Sequence, residues 1–158
     1  MKKTIMGNAV KQKNDDDSNE DWLNIETLVD VEITSEAKEY PIESALLIGD
    51  NQGWRAGRAG EQTVRLRFKQ SQALQSIMLK FEELKLERTQ EYRLSCTDES
   101  GIIHEIVRQQ WNFSPMGSTK QVENHIINLD KVNLIELIIT PDINRTDSYA
   151  TLQALRIS

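Results

Sequence analysis

The sequence has few of the residues that cross-link or break a chain. Its 158 residues include one cysteine and three prolines, and no segment approaches the roughly 20 apolar residues that a membrane helix requires. A single cysteine, Cys96, can form neither an intramolecular disulfide nor a cysteine-rich zinc site. Because Cys96 continues the alternating apolar pattern of Tyr92 and Leu94, we interpret it as a core thiol.

Basic residues are also in deficit. The 25 acidic and 19 basic residues give a net charge of −6, which opposes sequence-independent binding to nucleic acid phosphates. The first three residues resemble the start of a signal peptide, but no apolar segment follows before Lys11 and Lys13. We therefore expect a cytoplasmic protein that binds neither nucleic acid nor membrane.

The sequence carries no recognisable catalytic motif. His104 and His125 lie on separate predicted strands without a zinc-protease spacing or a cysteine partner. The glycine-rich segment 53–60 matches neither the Walker nor the dinucleotide fingerprint, and no helical pattern follows it. We predict a protein that is not an enzyme and that needs no catalytic cofactor.

The composition divides the chain into a tail and one domain. Residues 1–20 are polar and acidic and lack an apolar period, so they are predicted to form a disordered tail. The run of aspartates at residues 15–17 is interpreted as solvated charge, since consecutive residues do not converge on one ion. Residues 21–158 are predicted to form a single domain.

Short apolar runs dominate that domain and predict an all-β fold. In residues 63–69, Val64, Leu66 and Phe68 alternate with basic residues, which indicates a strand with one buried face. No repeat that would indicate a propeller or solenoid is visible, so we predict an antiparallel β-sandwich of about 8–9 strands. The predicted strands cover 25–33, 45–48, 63–69, 77–81, 91–97, 102–113, 122–129, 134–140 and 151–157.

Three segments resemble the galactose-binding-like, or discoidin, jelly-roll domains of coagulation factors and bacterial carbohydrate-binding modules. They are the turn Asp50-Asn51-Gln52-Gly53-Trp54, the strand at 61–68, and the ending at 149–157 with its Ala-x-Leu-like pattern. The resemblance spans about residues 25–158 and rests on the order of elements. It implies a jelly roll and a carbohydrate ligand, with Asn51 standing where the family has glycine and with the paired cysteines of extracellular members absent.

The same resemblance implies a structural calcium ion near the early turn. Asp50 and Asn51 are the candidate ligands that carry over, and the oxygen-rich segment 142–147 joins the last two strands. Calcium takes six to eight oxygen ligands, many of them backbone carbonyls that a sequence does not reveal. Occupied and empty calcium sites therefore both remain open.

The glycine-rich segment is the first candidate binding site. It combines an aromatic ring, two guanidinium groups and a carboxylate, provided by Trp54, Arg55, Arg58 and Glu61. An indole face can cover the apolar face of a pyranose, and arginine forks or carboxylates can hydrogen-bond its hydroxyls. In the alternative interpretation, Trp54 plugs the end of the sandwich and the arginines are solvated or paired with Glu61.

Further polar candidates lie at strand ends. Strand alternation places Arg108 and Asn112 on the face opposite Trp111 and Phe113, where they either line a groove or face solvent. Asn144 and Arg145 lie in the last long connection.

Together these residues predict a module that binds a carbohydrate or small polar ligand through loops at one end of a jelly roll. The alternative is a protein-interaction or assembly module, including a homo-oligomer, that uses an exposed sheet face or edge such as residues 102–113.

Overall fold

The computed structural model describes residues 22–49 and 52–158. The predicted tail at residues 1–20 and the two calcium candidates, Asp50 and Asn51, lie outside these residues. The elements in chain order are α1 (Ile25–Leu28), β1 (Val29–Ile33), α2 (Glu43–Leu46), β2 (Trp54–Arg55), β3 (Gln62–Glu82), β4 (Arg88–Asp98), β5 (Ile103–Phe113), β6 (Lys120–Thr140), β7 (Thr151–Leu152) and β8 (Ala154–Ile157). The predicted all-β antiparallel sandwich is confirmed, with eight strands in the described residues.

Two 21-residue strands, β3 and β6, build both layers of the sandwich. The first part of β3 pairs with β1 and with the last part of β6, and β4 and β5 extend this sheet in the order β1-β3-β6-β4-β5. The last part of β3 pairs with β8 and with the first part of β6. Register shifts between Arg67 and Ser76 separate the two parts of β3, so that a five-stranded and a three-stranded layer share the same two strands.

Contacts across the interior show that the two layers face each other. Tyr92 of β4 is the sheet neighbour of Ile139, yet its hydroxyl contacts His125 in the first part of β6 at 2.7 Å. Its ring also lies 5.2 Å from that of Phe81 in the last part of β3. β4 therefore packs over the three-stranded layer, and the core lies between them.

The predicted alternation of β3 is confirmed. Val64, Leu66 and Phe68 are exposed by 1%, 1% and 8%, whereas the side chains of Arg65 and Arg67 are exposed by 44% and 52%. Successive residues of a strand point to opposite faces of the layer, and the three apolar side chains face the core.

Several predicted strand assignments were wrong. Residues 25–28 form α1, because Asn24 caps its start by accepting a hydrogen bond from the backbone N–H of Glu26 at 3.2 Å. Ala45 and Leu46 belong to α2, not to a strand. The runs at 63–69 and 77–81 belong to one strand, as do those at 122–129 and 134–140, since a bulged strand can continue through polar residues.

In the described residues, no helix has the length and apolar content needed to cross a membrane.

Candidate functional site

The outer face of the five-stranded layer holds three of the predicted site residues. Arg108 and Asn112 are exposed on β5, and Glu61 precedes β3. The Arg108 guanidinium forms a two-pronged contact with Glu91, with Nε–Oε1 and Nη2–Oε2 distances of 3.0 and 3.2 Å. Glu61 lies 3.7 Å from Arg93. The charged groups of this face are therefore already engaged with one another.

Further ion pairs cross the same face. Arg65 contacts Glu136 at 2.6 Å, and Arg67 contacts Glu32 at 2.8 Å. The hydrogen bond from Arg108 is the main cause that lowers the pKa of Glu91. Such exposed pairs contribute about 0–1 kcal/mol each to stability. A ligand bound here would have to displace the carboxylates that already accept hydrogen bonds from these arginines.

Trp54 is a core residue. Its side chain is 1% exposed, and its indole N–H donates to the backbone carbonyl of Ser35 at 3.1 Å. The indole therefore has no open face for a pyranose, and Trp54 leaves the set of candidate ligand contacts. The alternative interpretation, in which Trp54 plugs the sandwich, matches this burial.

The glycine-rich segment is held firmly in place. A Cβ atom on Gly57 would lie 2.7 Å from the carbonyl oxygen of Glu36, so only glycine permits this approach. The Gly57 N–H donates to the hydroxyl of Ser35 at 2.9 Å. Gly60 adopts a φ of +93°, which favours glycine at that turn. The loop is thus fixed before any ligand arrives.

The segment after Asp147 runs beside this loop. The N–H of Ala56 donates to the carbonyl of Ala150 at 2.9 Å, and the N–H of Gly60 donates to that of Ser148 at 3.0 Å. Tyr149 lies between these two anchors and is 40% exposed. The Arg55 guanidinium carbon lies 5.5 Å from the centroid of the Tyr149 ring, within the range of a cation–π contact.

Arg58 lies in the arch between the same two anchors. It is exposed, and within the described residues neither Arg55 nor Arg58 contacts a carboxylate. Arg145 differs, because its Nε lies 3.3 Å from Asp147. Arg55, Arg58 and Tyr149 are thus exposed on this loop and on the segment beside it, and the three residues are called here the loop surface.

Thr89 connects the loop after β6 to the end of β5. Its hydroxyl donates to Oδ1 of Asn112 at 2.7 Å, and its carbonyl accepts from the N–H of Ile143 at 2.9 Å. The exposed Asn144 follows directly. The structure therefore brings Asn112 and Asn144 to the same end of the sandwich, while Arg108 stays on the sheet face.

The two histidines have structural partners. His104 contacts Asp98 at 2.9 Å through Nε2, and this hydrogen bond is the main cause that lowers the pKa of Asp98. Asp98 also caps the β4–β5 turn by accepting from the N–H groups of Ser100 and Ile102. In residues 22–49 and 52–158, no group of three His, Cys, Asp or Glu side chains could hold a metal ion.

Tyr149 is an exposed aromatic residue of the loop surface that the sequence analysis did not include among the candidate site residues. It falls in the segment that carried the family resemblance, where it counted only as part of the last-strand motif. An aromatic residue directly before the closing strand, beside a connection rich in polar residues, is the only signal that could have marked it.

The comparisons with known proteins identify the fold. No family model and no curated protein matches the sequence. The structure is similar to the module CpGH89CBM32-4 of Clostridium perfringens, solved with GlcNAc-α-1,4-galactose, with a TM-score of 0.63, 14% identity and coverage of 89% of this chain and 97% of that one.

Two further carbohydrate-binding modules are similar. The family 32 module of C. perfringens NanJ, solved with galactose, has a TM-score of 0.56, 16% identity and coverage of 86% of this chain and 96% of that one. The AlyQ module, solved with 4,5-unsaturated mannuronic acid, has a TM-score of 0.59, 12% identity and coverage of 83% and 95%. This chain has the galactose-binding-like fold, and its predicted resemblance is confirmed.

Proposed function

We propose that this domain is a non-catalytic module that binds carbohydrate at the loop surface formed by Arg55, Arg58 and Tyr149. The observation that carries the proposal is the exposed Tyr149 ring beside Arg55, on a fold shared with carbohydrate-binding modules. Fold alone does not assign function, and the chemistry of this surface supplies the further support.

An exposed aromatic ring and a nearby guanidinium suit the two sides of a sugar. The ring can pack against the apolar C–H face of a pyranose. The planar arginine fork can donate two parallel hydrogen bonds to adjacent hydroxyls or to a carboxylate. The tight anchoring of the loop by Gly57 reduces the entropy that binding would cost.

The charge of the surface favours an acidic sugar. Arg55 and Arg58 have no carboxylate neighbour within the described residues, although the whole chain carries a net charge of −6. A uronate carboxylate would supply the missing acceptor and would form charge-assisted hydrogen bonds, which are about twice as strong as neutral ones. We therefore expect a uronic acid to bind more tightly than the neutral sugar of the same configuration.

A matched pair of sugars tests this proposal. Isothermal titration of the full chain with galacturonic acid and with galactose compares ligands that differ only at C6, where a carboxylate replaces a hydroxymethyl group, and short oligomers of each extend the series. The expected result is saturable binding that is several-fold tighter for the acidic sugar. Equal affinities would remove the preference for acidic sugars, and no heat with either sugar or its oligomers would count against the loop surface as a carbohydrate site.

Variants identify the surface that binds. Arg55→Ala, Arg58→Ala and Tyr149→Ala should weaken binding while changing stability by only about 0.5 kcal/mol, as is usual for exposed residues. Arg108→Ala is the matched control, because it removes an exposed arginine that is already paired with Glu91. Loss of affinity in Arg108→Ala alone would move the site to the sheet face.

A further inference from the structure

One edge of the three-stranded layer has few of the features that normally keep a sheet edge from pairing. In the first part of β6, residues Lys120 to Ile126 pair with Glu82 to Ser76 of β3 without a register shift. Their other side pairs with no strand among the described residues. An unpaired, regular strand edge is a template for another strand unless charges, bulges or proline protect it.

From Val122 to Ile126 the outward side chains of this edge are uncharged, and the exposed charge of Lys120, which lies 3.9 Å from Glu82, stands at its start. Val122 is 58% exposed and Ile126 is 68% exposed, and Asn124 lies between them, also exposed. Of the large apolar side chains that the described strands leave more than half exposed, only Ile103 lies elsewhere. β-Branched side chains left in water on a strand edge are typical of a surface that pairs.

The other sheet edges are protected. β5 carries the exposed charges Glu105 and Arg108 and has a register shift opposite the Leu94–Ser95 step of β4. β1 carries Asp30 and Glu32 along its five residues. β8 has four residues, and its Ile157 carbonyl already accepts from the N–H of Leu23 at 2.8 Å.

We propose that residues 122–126 of this edge pair antiparallel with the same residues of a second copy of this chain, about a two-fold axis at Asn124. In that register Val122 of one copy lies opposite Ile126 of the other, so each covers an exposed apolar neighbour. The two Asn124 side chains meet on the axis, where carboxamides can donate to and accept from each other. Both three-stranded layers join into one continuous sheet.

The inward side chains match in the same register. Glu123 lies opposite His125 of the second copy, so an acceptor faces a ring nitrogen. Within its own chain, Glu123 accepts from Gln109 through Oε1 at 2.7 Å. His125 contacts Tyr92 through Nε2. Their remaining atoms, Oε2 and Nδ1, have no partner among the described residues and can bond across the axis. A self-complementary patch is the requirement for a two-fold interface.

Sedimentation equilibrium of the full chain tests the dimer. The expected mass rises with concentration from 18.2 kDa towards twice that value. The double variant with Val122→Lys and Ile126→Lys should remain at the monomer mass, whereas Ile103→Lys, a matched change on the other edge, should dimerise like the wild type. A wild-type mass that never exceeds the monomer, or a double variant that dimerises equally, would overturn the proposal.

Cysteine cross-linking tests the register and does not depend on how the lysine variants fold. Opposed residues of an antiparallel pair have Cα atoms roughly 4.5–5.5 Å apart, which suits a disulfide. Asn124→Cys should therefore cross-link with itself under mild oxidation. A mixture of Val122→Cys and Ile126→Cys should form a mixed dimer several-fold faster than either protein forms its own, while the buried Cys96 stays reduced. Absence of self-linking by Asn124→Cys, or equal rates in the mixture, would contradict this register. Since neither readout involves sugar, the dimer and the carbohydrate site can fail independently.

Discussion

The hydroxyl of Tyr92 lies 2.7 Å from Nε2 of His125 and joins the two layers of the sandwich across their interior. Burial is the main cause that lowers the pKa of His125, and the charge of Glu123 opposes the shift more weakly. The folded state therefore binds a proton at His125 less readily than the unfolded chain does. Because the unfolded chain takes up this proton more readily, the free energy of unfolding decreases as the pH falls.

We expect the free energy of unfolding to decline as the pH falls through the ordinary histidine range, about 6.5. His125→Gln should flatten this decline, because it removes the group whose proton affinity differs between the two states. Urea denaturation of both proteins between neutral and mildly acidic pH measures this dependence of stability on pH. His104→Gln is the control, since it leaves the Tyr92–His125 contact in place. An unchanged acid slope in His125→Gln would contradict the assignment.

Trp54→Ala should destabilise the fold strongly. The indole is 1% exposed and bonded to Ser35, so truncation leaves a large cavity and costs about 3–5 kcal/mol. Tyr149→Ala is the matched aromatic control and should cost far less, because that ring is 40% exposed. Paired urea curves distinguish the two. Equal losses would mean that Tyr149, too, serves mainly the core.

The two faces of β3 should respond differently to truncation. Val64→Ala, Leu66→Ala and Phe68→Ala should each cost about 1–5 kcal/mol, with the valine at the lower end. Arg65→Ala should cost no more than about 1 kcal/mol, since its ion pair with Glu136 is partly solvated. Chemical denaturation gives these values. An arginine variant as damaging as Phe68→Ala would contradict the packing described.

Cys96 should be inert in the folded protein. Its side chain is buried, and burial raises the pKa of the thiol to about 12, so almost no thiolate forms at neutral pH. A thiol-specific chromogenic disulfide should react with Cys96 only as fast as the protein opens, and rapidly in urea. Fast reaction in native buffer would show that β4 is mobile around this residue.

Local sequence patterns were sufficient to predict burial in strands that place one face on the core and the other in solvent. The alternation in residues 63–69 reports burial directly, because a strand has only two faces, whereas in residues 77–81 Met78 on the other face is buried as well. The fold class followed from many such short runs. The joining of these runs into one bent strand was not predictable, since bulges depend on how two layers close over each other.

The site was harder to predict because burial of aromatic and charged residues is a tertiary property. Trp54 begins the short strand β2 and Tyr149 precedes the short strand β7, and only the packed structure shows that the first ring is covered and the second is open. Arg156 of β8 is another example. Its charge and its place between apolar residues predict that it faces solvent, yet it is 1% exposed. Its guanidinium donates to the carbonyls of Ala45 and Leu47, which lie far away in the chain.

Amide chemical-shift mapping during a titration with galacturonic acid oligomers tests the central claim most directly. We predict saturable shifts concentrated at residues 55–60 and 145–149, with the amides of Arg108 and of residues 120–126 unchanged. Shifts confined to the face that carries Arg108, or no shifts at saturating sugar, would contradict the assignment of the loop surface as a carbohydrate-binding site.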